Sequence, residues 1–313
     1  MSNLLSASNM IMDQYTERQI LIDRRRDEMV ARYPSLWDEL IAEWKSPGSD
    51  DRAWLMYSAN YLFRTRGVRW AMDPLSLQSR IPQAPRMDAA RDLKDLDFVL
   101  LSHRHRDHLD SALLRALCHL PILWVVPEAM FQLVQREIGL PASQILVPKL
   151  MQPIEIRGLR ITAFDGLHWE AAPDYPTGRR GVPATGYLVE QGNKRWLFPG
   201  DTRKYDPAAM PDLGPVDVLF AHLWLGRGAA NHPSPVLLDR FCRFCLALKP
   251  HRIILSHLEE WGRKAADFWD LEHARLVVAF IKQFVPSMPI EIALTGDRVL
   301  LELAQQRNAP NTD

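Results

Sequence analysis

The stretch LSHRHRDHLD, residues 101–110, contains the densest group of metal-binding side chains in the sequence. It continues from DFVLLS, residues 97–102, a short apolar run that is typical of a buried strand. Four side chains that can bind a metal then fall within six residues: His103, His105, Asp107 and His108. Packing them in an apolar core would leave polar groups without partners, so we expect them on a loop. Imidazoles and carboxylates are ligands for zinc, manganese and iron, and the stretch therefore predicts a metal site after a strand.

The composition is that of an ordinary globular protein. The chain has 313 residues, of which 47% are apolar, and Lys+Arg balance Asp+Glu at 38 each. A balanced charge gives no general reason to expect nucleic-acid binding. We see neither a signal-peptide core nor a run of about 20 apolar residues, so we expect no membrane span. The few cysteines favour a reducing compartment. We therefore predict a cytoplasmic protein that acts on a small molecule, and a homo-oligomer is left open.

The first 50 residues differ in character from the rest. Residues 10–45 are polar and favour a helix, with a break predicted at Tyr33-Pro34. SPGSDD, residues 46–51, reads as a linker. We thus predict an N-terminal helical extension over residues 1–50 and a main domain over residues 51–313. The apolar side chains of the extension that we expect to be covered are Ile20, Ile22, Met29, Leu36, Trp37, Leu40, Ile41 and Trp44.

The main domain alternates strands and helices. AWLMYSANYLFRT, residues 53–65, and VRWAM, residues 68–72, are predicted as two strands joined at Arg66-Gly67. PEAMFQLVQREIGL, residues 127–140, is predicted as a helix. Cys242 and Cys245 form a C-x-x-C pair, but a zinc site would need further ligands nearby, so we expect them on a buried helix face. The pattern predicts an α/β sandwich with two sheets face to face and helices outside.

His-x-His-x-Asp-His after an apolar strand resembles the metallo-β-lactamase superfamily. In that family a lone histidine, an aspartate and a final histidine follow later strands, and an acid ends an early strand. Over about residues 53–300 the chain supplies these in order: His168 in FDGLHWE, Asp201 in LFPGDT, His257 in IILSHLE and Asp73 in WAMDP. The resemblance implies an αββα metallo-β-lactamase sandwich with two divalent metal ions, zinc first, with manganese or iron as alternatives.

The resemblance also implies a role for each matching residue. His103, His105 and His168 would hold one metal, Asp107, His108 and His257 the second, and Asp201 would bridge them. Two such cations can share a water and lower its pKa. Asp73 would orient a ligand from behind, although a turn-forming role before Pro74 explains it equally well.

Smaller signals indicate the branch of the superfamily. True β-lactamases of this fold have a cysteine where Asp201 stands. His168-Trp169, Gly-Asp-Thr and Gly186-Tyr187 resemble the group of ascorbate-phosphate lactonases and N-acylethanolamine-releasing phospholipases. This implies a metal-dependent hydrolase that cleaves a phosphodiester in a small or lipid-like molecule. A lactone or ester hydrolase and a non-catalytic metal-stabilised binding module remain the alternatives.

Four further residues are candidates for contact with the substrate. The sequence departs from this group at AHLWLGRGAANHPSP, where His222 and His232 stand. His232 is predicted to contact the substrate or to transfer a proton, and His222 to line the pocket. Either Asp107 or a loop histidine would protonate the leaving group. Arg179 and Arg180 could clamp a phosphate. A solvated loop position is the alternative for His232 and for both arginines.

Overall fold

Two seven-stranded β-sheets lie face to face, with helices on both outer sides. The computed structural model describes residues 2–302, and side chains from residue 16 onward. This four-layer arrangement confirms the predicted αββα sandwich. No helix in the described part of the chain has the length and apolar character needed to cross a bilayer.

The first sheet is antiparallel at one edge and parallel at the other. In spatial order its strands are β16 (Arg298–Leu300), β1 (Arg52–Leu55), β2 (Tyr61–Thr65), β3 (Val68–Met72), β4 (Phe98–Leu100), β5 (Leu123–Val125) and β6 (Ile145–Leu146). Strands β3 to β6 run parallel, so their carboxyl ends lie along one edge.

The second sheet has a similar mixed pattern. In spatial order its strands are β15 (Ile290–Ile292), β14 (Pro250–Ser256), β13 (Val216–His222), β12 (Lys194–Phe198), β11 (Thr185–Gln191), β8 (Leu159–Asp165) and β7 (Ile154–Ile156). Strands β12 to β15 are parallel, and β8 runs in the same direction because β11 is antiparallel to both β8 and β12. A separate two-stranded ribbon consists of β9 (Trp169–Ala171) and β10 (Arg179–Gly181).

Five α-helices cover the sheets. They are α1 (Ser2–Lys45), α2 (Ala89–Asp92) and α3 (Ser111–Leu117) on the first sheet, and α4 (Pro235–Ala247) and α5 (Leu271–Phe284) on the second. Between the sheets lies an aromatic core in which Phe63 stacks on Trp70 at 3.8 Å between ring centroids. Cys242 and Cys245 are free thiols buried on α4, as predicted.

Helix α1 is continuous through Pro34, so the predicted break at Tyr33-Pro34 is wrong. The helix is fixed to the body on both sides of the proline. The Tyr33 hydroxyl donates to Met56 O at 3.1 Å, and Trp37 Nε1 donates to Asp92 Oδ2 at 2.9 Å. Burial of these aromatic rings offsets the cost of a proline inside a helix, which is about 3 kcal/mol.

Burial along α1 follows the prediction with one exception. Ile20 is 62% exposed, contrary to expectation. Met29 is partly buried, and the remaining predicted positions are buried: Ile22, Leu36, Trp37, Leu40, Ile41 and Trp44. Whether residues 1–50 form a unit separate from residues 51–313 stays a prediction, since α1 shares one apolar cluster with the first sheet.

Two local predictions were too simple. Residues 53–65 form two strands, β1 and β2, because Asn60 turns the chain between them. Residues 127–140 form a 3₁₀ turn at Glu128–Met130 and a π-helix at Leu133–Ile138 in place of one α-helix. Gly139, with φ of 90°, ends the π-helix in the left-handed region.

Replacement of Trp44 tests the packing of α1. The side chain is fully buried, and its Nε1 donates to Phe63 O at 3.0 Å. We expect Trp44→Ala to lower the free energy of unfolding by about 3–5 kcal/mol, measured by urea denaturation. Ile20→Ala is the matched control on the exposed face and should change it by less than about 0.5 kcal/mol. Equal losses in the two variants would contradict the packing described.

Candidate metal centre

The predicted ligands meet at the carboxyl ends of strands from both sheets. The stretch 103–108 follows β4, and His168, Asp201 and His257 follow β8, β12 and β14. Since these strands point the same way within each sheet, their carboxyl ends form one edge of the sandwich. Thr185 N donates to Ser102 O at 3.0 Å and joins the two sheets at this edge.

The loop after β4 is held at both ends. Asp110 caps helix α3, accepting from Ala112 N at 3.1 Å and Leu113 N at 3.0 Å. Within the loop, the His108 and Leu109 amides both donate to His105 O. The loop therefore closes into a turn between a buried strand and a capped helix, and its histidines are carried toward one point.

Three imidazoles form the first group. The rings of His103, His105 and His168 lie in a nearly equilateral triangle, with centroid separations of 4.8, 4.6 and 4.7 Å. Each ring offers a ligand atom, and these atoms lie within 4.8 Å of one another. His103 and His168 are buried, and His105 is half-buried. This arrangement suits one divalent cation with three nitrogen ligands.

The second group is formed by Asp107, His108, Asp201 and His257, all of them buried. Asp201 Oδ1 lies 3.2 Å from His108 Nε2, and Asp201 Oδ2 lies 3.5 Å from His257 Nε2. Asp107 Oδ2 also lies 3.5 Å from His257 Nε2.

The Asp201 carboxylate stands between the two groups. Its Oδ2 lies 3.9 Å from Nε2 of both His103 and His168, which belong to the first group. Its distances to His108 and His257 are shorter, as given above. A carboxylate in this position suits a ligand shared by two cations.

Several buried nitrogens in the cluster have no hydrogen-bond partner. They are Nε2 of His103, Nε2 of His108, both ring nitrogens of His168 and Nε2 of His257. Buried polar groups normally form hydrogen bonds. The four rings have nitrogens without such bonds that face one another, so these nitrogens need a different partner. A divalent cation accepts such lone pairs, and the donor set therefore fits a metal.

The electrostatics of the first group favour neutral imidazoles. Burial lowers the pKa of His103 well below its usual value, with a further contribution from the charge of His108. Burial likewise lowers the pKa of His168 to about 3, although Asp201 opposes it. Neutral rings keep the lone pair that a metal requires.

The second group concentrates negative charge. Burial by itself would raise the pKa of Asp201, but the charges of His108 and His257 hold it well below its usual value. Conversely, burial disfavours the charged form of His108, yet Asp201 raises its pKa well above normal. The ionised carboxylates thus favour positive charge in this group. A divalent cation can supply that charge in place of the protons on the imidazoles.

Asp73 and Ser102 contact the ring nitrogens of His108 and His103 that face away from the cluster. Its Oδ2 lies 2.8 Å from His108 Nδ1, and its Oδ1 accepts from Ser102 N at 2.7 Å. Ser102 Oγ donates to Asp73 Oδ2 and lies 2.9 Å from His103 Nδ1. These contacts leave Nε2 of His108 and His103 directed at the cluster, an arrangement common around metal-binding imidazoles.

The backbone beside the cluster is strained. Asp73, Leu167 and His257 have φ of 45°, 52° and 65°, a region that residues other than glycine rarely adopt. Such conformations cluster at functional sites, where the surrounding contacts enforce them. His257 N, for example, donates to Ser58 O at 2.8 Å across the two sheets.

Sequence reasoning missed two residues that hold the cluster. Asn60 Nδ2 donates to Asp73 O at 2.7 Å and to Asp107 O at 2.9 Å. Arg263 Nη2 donates to Asp107 Oδ2 at 3.1 Å. The lone amide in the apolar run before β2 was a signal for Asn60. Arg263 had none, because its contact depends on the path of the loop after His257.

The predicted substrate residues lie in different surroundings. His222 Nδ1 lies 2.9 Å from Asp201 Oδ1, so it contacts the carboxylate at the centre of the cluster. His232 is exposed, on the loop before α4. Arg180 pairs with Asp174 at 2.9 Å, and Arg179 lies over the Trp169 ring at 4.1 Å. The roles predicted for these residues stay predictions.

A cavity of about 490 Å³ adjoins the cluster at His168. Its walls are mainly apolar, and the charged residues in its lining are Glu128, Asp165 and Arg179. Apolar members of the lining are Pro127, Ala129, Pro148, Leu150, Val182 and Pro183. The cavity is large enough for a small molecule or part of a lipid chain.

Comparison with known proteins agrees with this geometry. The chain is 28% identical over 169 residues to N-acyl-phosphatidylethanolamine-hydrolyzing phospholipase D 1 of Caenorhabditis elegans, covering 48% of this chain and 46% of that protein. It therefore spans about half the length of this curated relative.

Solved structures show the same fold at low identity. Igni18, a metallo hydrolase of Ignicoccus hospitalis, has a TM-score of 0.58 at 17% identity, covering 81% of this chain and 99% of that one. A possible metal-dependent hydrolase of Veillonella parvula has a TM-score of 0.57 at 17% identity, covering 80% and 100%.

The family model described as the beta-lactamase superfamily domain matches residues 71–258, a range that includes every ligand predicted above. Because this match covers more than half of the chain and the fold is the αββα sandwich, the protein belongs to the metallo-β-lactamase superfamily of metal-dependent hydrolases.

Proposed function

We propose that this protein is a dinuclear metal-dependent hydrolase that cleaves a phosphodiester in a small or lipid-like substrate. The observation that carries the proposal is the convergence of six predicted ligands around a seventh, the buried carboxylate of Asp201, with four rings bearing unpartnered nitrogens. Groups that serve only to stabilise a fold would be hydrogen-bonded to each other.

The proposed ligand sets follow the two groups in the structure. His103, His105 and His168 would hold one metal, and Asp201 would serve both sites. Asp107, His108 and His257 would hold the second metal. Zinc is the first choice, with manganese and iron as alternatives, because all three accept nitrogen and carboxylate ligands.

When bound, two divalent cations would supply a lowered pKa for water and would stabilise charge on the entering and leaving oxygens. The chain positions the remaining groups. Arg263 and His257 fix the carboxylate of Asp107, which we propose accepts the proton of the attacking water. His232 is the proposed second proton-transfer group, acting on the leaving group.

The substrate class rests on the cavity and on one relative. Apolar walls suit an acyl or aryl part, and Arg179 provides one cation in a lining that also contains Glu128 and Asp165. The relative from Caenorhabditis elegans is named for hydrolysing N-acyl-phosphatidylethanolamine. A phosphodiester attached to an apolar group satisfies both.

The direct test uses the purified full chain. Metal content is measured by elemental analysis, and hydrolysis is followed with bis(p-nitrophenyl) phosphate, p-nitrophenyl butyrate and a simple lactone. About two metal ions per chain and preference for the phosphodiester are expected. Preference for the butyrate or lactone would indicate an ester hydrolase, and bound metal without turnover of any of the three would indicate a non-catalytic binding module.

Asp201→Asn tests the bridge. The amide removes a negative charge between two cations and is a weaker ligand, so we expect loss of at least one metal and a rate decrease of about 100-fold or more. Elemental analysis and steady-state kinetics on bis(p-nitrophenyl) phosphate measure both effects. Full metal content with full activity would rule out a bridging role.

His232→Ala separates proton transfer from metal binding. Since His232 is exposed and lies in neither ligand group, both metals should remain while kcat falls or substrate preference changes. The same two measurements apply. Loss of a metal in this variant would instead make His232 a ligand, and unchanged kinetics on all three substrates would remove its catalytic role.

Asp73→Asn tests the support of the ligands. The variant weakens the contacts with His108 and Ser102, so metal affinity should fall by about 10–100-fold. Competition with a chelator of known affinity measures the change. Asp97→Asn is the matched control, because Asp97 accepts from Arg69 N at 2.9 Å at the opposite end of β4. Equal affinity in both variants would show that Asp73 has only a turn-forming role.

A further inference from the structure

A second cleft, of about 470 Å³, lies beside the metal centre and has basic and aromatic walls. The residues that matter here are Trp169, Arg203, Lys204, Trp224 and Arg240. Trp169 also lines the apolar cavity described above, so this indole is shared by the two spaces.

The walls of this cleft continue directly from the metal centre. Arg203 follows Asp201 by two residues, and its amide donates to Leu167 O at 3.1 Å, next to His168. Trp169 is the residue after His168. A ligand in the cleft therefore lies against the loops that hold the metal ligands.

Arg203 is a half-buried cation in the lining of this cleft. Within residues 16–302 it donates no side-chain hydrogen bond and forms no ion pair, and its Nε is buried without a partner. Its guanidinium lies over the Trp224 ring at 5.0 Å. A guanidinium kept in this state is costly unless an anion meets it.

The acidic residues of the cleft do not supply that anion. Glu170 is paired with Arg227 at 2.8 Å, and Asp206 with Lys204 at 3.3 Å. Arg240 is exposed and forms no ion pair in the described part of the chain. The cleft therefore keeps a surplus of positive charge, centred on Arg203.

We propose that this cleft binds a phosphate monoester group carried by the substrate, with Arg203 as its anchor, a proposal that rests on the hydrolase function above. A guanidinium fork matches phosphate oxygens, and the additional cations of the cleft favour a dianion over a single carboxylate. The indoles of Trp169 and Trp224 pack against the carbon skeleton next to that phosphate. The substrate thus carries a terminal phosphate in addition to the bond that is cleaved.

The test is calorimetric titration of the metal-loaded full chain with phenyl phosphate, with benzoate as the carboxylate probe. We expect phenyl phosphate to bind at least about 10-fold more tightly than benzoate. Arg203→Gln should weaken phenyl phosphate binding by about 10–100-fold, the range for loss of charge-assisted hydrogen bonds. Arg243→Gln is the control for the loss of one positive charge. Arg243 lies one turn after Arg240 on α4 but outside the cleft lining, so binding should stay within about 2-fold of the parent.

Unchanged binding in Arg203→Gln, or equal affinity for the two probes, would overturn the proposal. If Arg203→Gln fails to fold, the exposed Arg240→Gln decides: binding at least about 3-fold weaker supports the cleft, and no change overturns it.

Metal content and hydrolysis of bis(p-nitrophenyl) phosphate by the parent protein are measured in parallel. A parent without metal or turnover that still binds phenyl phosphate through Arg203 would remove the proposed function and keep the cleft. A metal-loaded, active parent whose phenyl phosphate binding does not depend on Arg203 would keep the proposed function and remove the cleft proposal.

Discussion

The burial of one carboxylate, Asp201, is the constraint on which the site depends. A carboxylate removed from water is costly unless opposite charge and hydrogen bonds meet it. Here the partners come from both sheets. His103 and His108 follow a strand of the first sheet, and His222 and His257 follow or end strands of the second. The edges formed by the carboxyl ends of the strands in the two sheets must therefore lie against each other. This limits the relative orientation of the sheets around the aromatic core.

Much of this arrangement could be predicted from the sequence. Ligands that each follow an apolar strand gather at one edge once those strands are parallel, and the resemblance to the superfamily implied how they divide into two groups. His222 was harder to place. It ends a strand like a ligand, but its contact with Asp201 depends on the register of β13 against β12, which the sequence does not reveal.

The remaining errors have a common physical cause. The proline in α1 and the turn at Asn60 were judged from local preference, and tertiary contacts decided both. Burial of Tyr33 and Trp37 keeps α1 intact. A turn closed by Met56 N donating to Asn60 O divides one apolar run into two strands, and the Asn60 side chain is held by Asp73 O and Asp107 O. A local pattern cannot predict contacts between residues distant in sequence. Arg203 was not predicted as a binding residue for the same reason. In the sequence it is an arginine after Gly-Asp-Thr, and only its tertiary surroundings distinguish it from other loop arginines.

Helix α1 connects the periphery with the site. Arg18 donates to Ala230 O at 2.9 Å and to Asn231 Oδ1 at 2.7 Å, directly before His232. About two turns further along the helix, Arg25 pairs with Glu259, two residues after His257. Both contacts come from one helix. They reach the loop that carries His232 and the loop that follows His257. Movement of α1 would therefore displace both loops together, and the precision of the site depends on a helix that lies outside the residues matched by the family model.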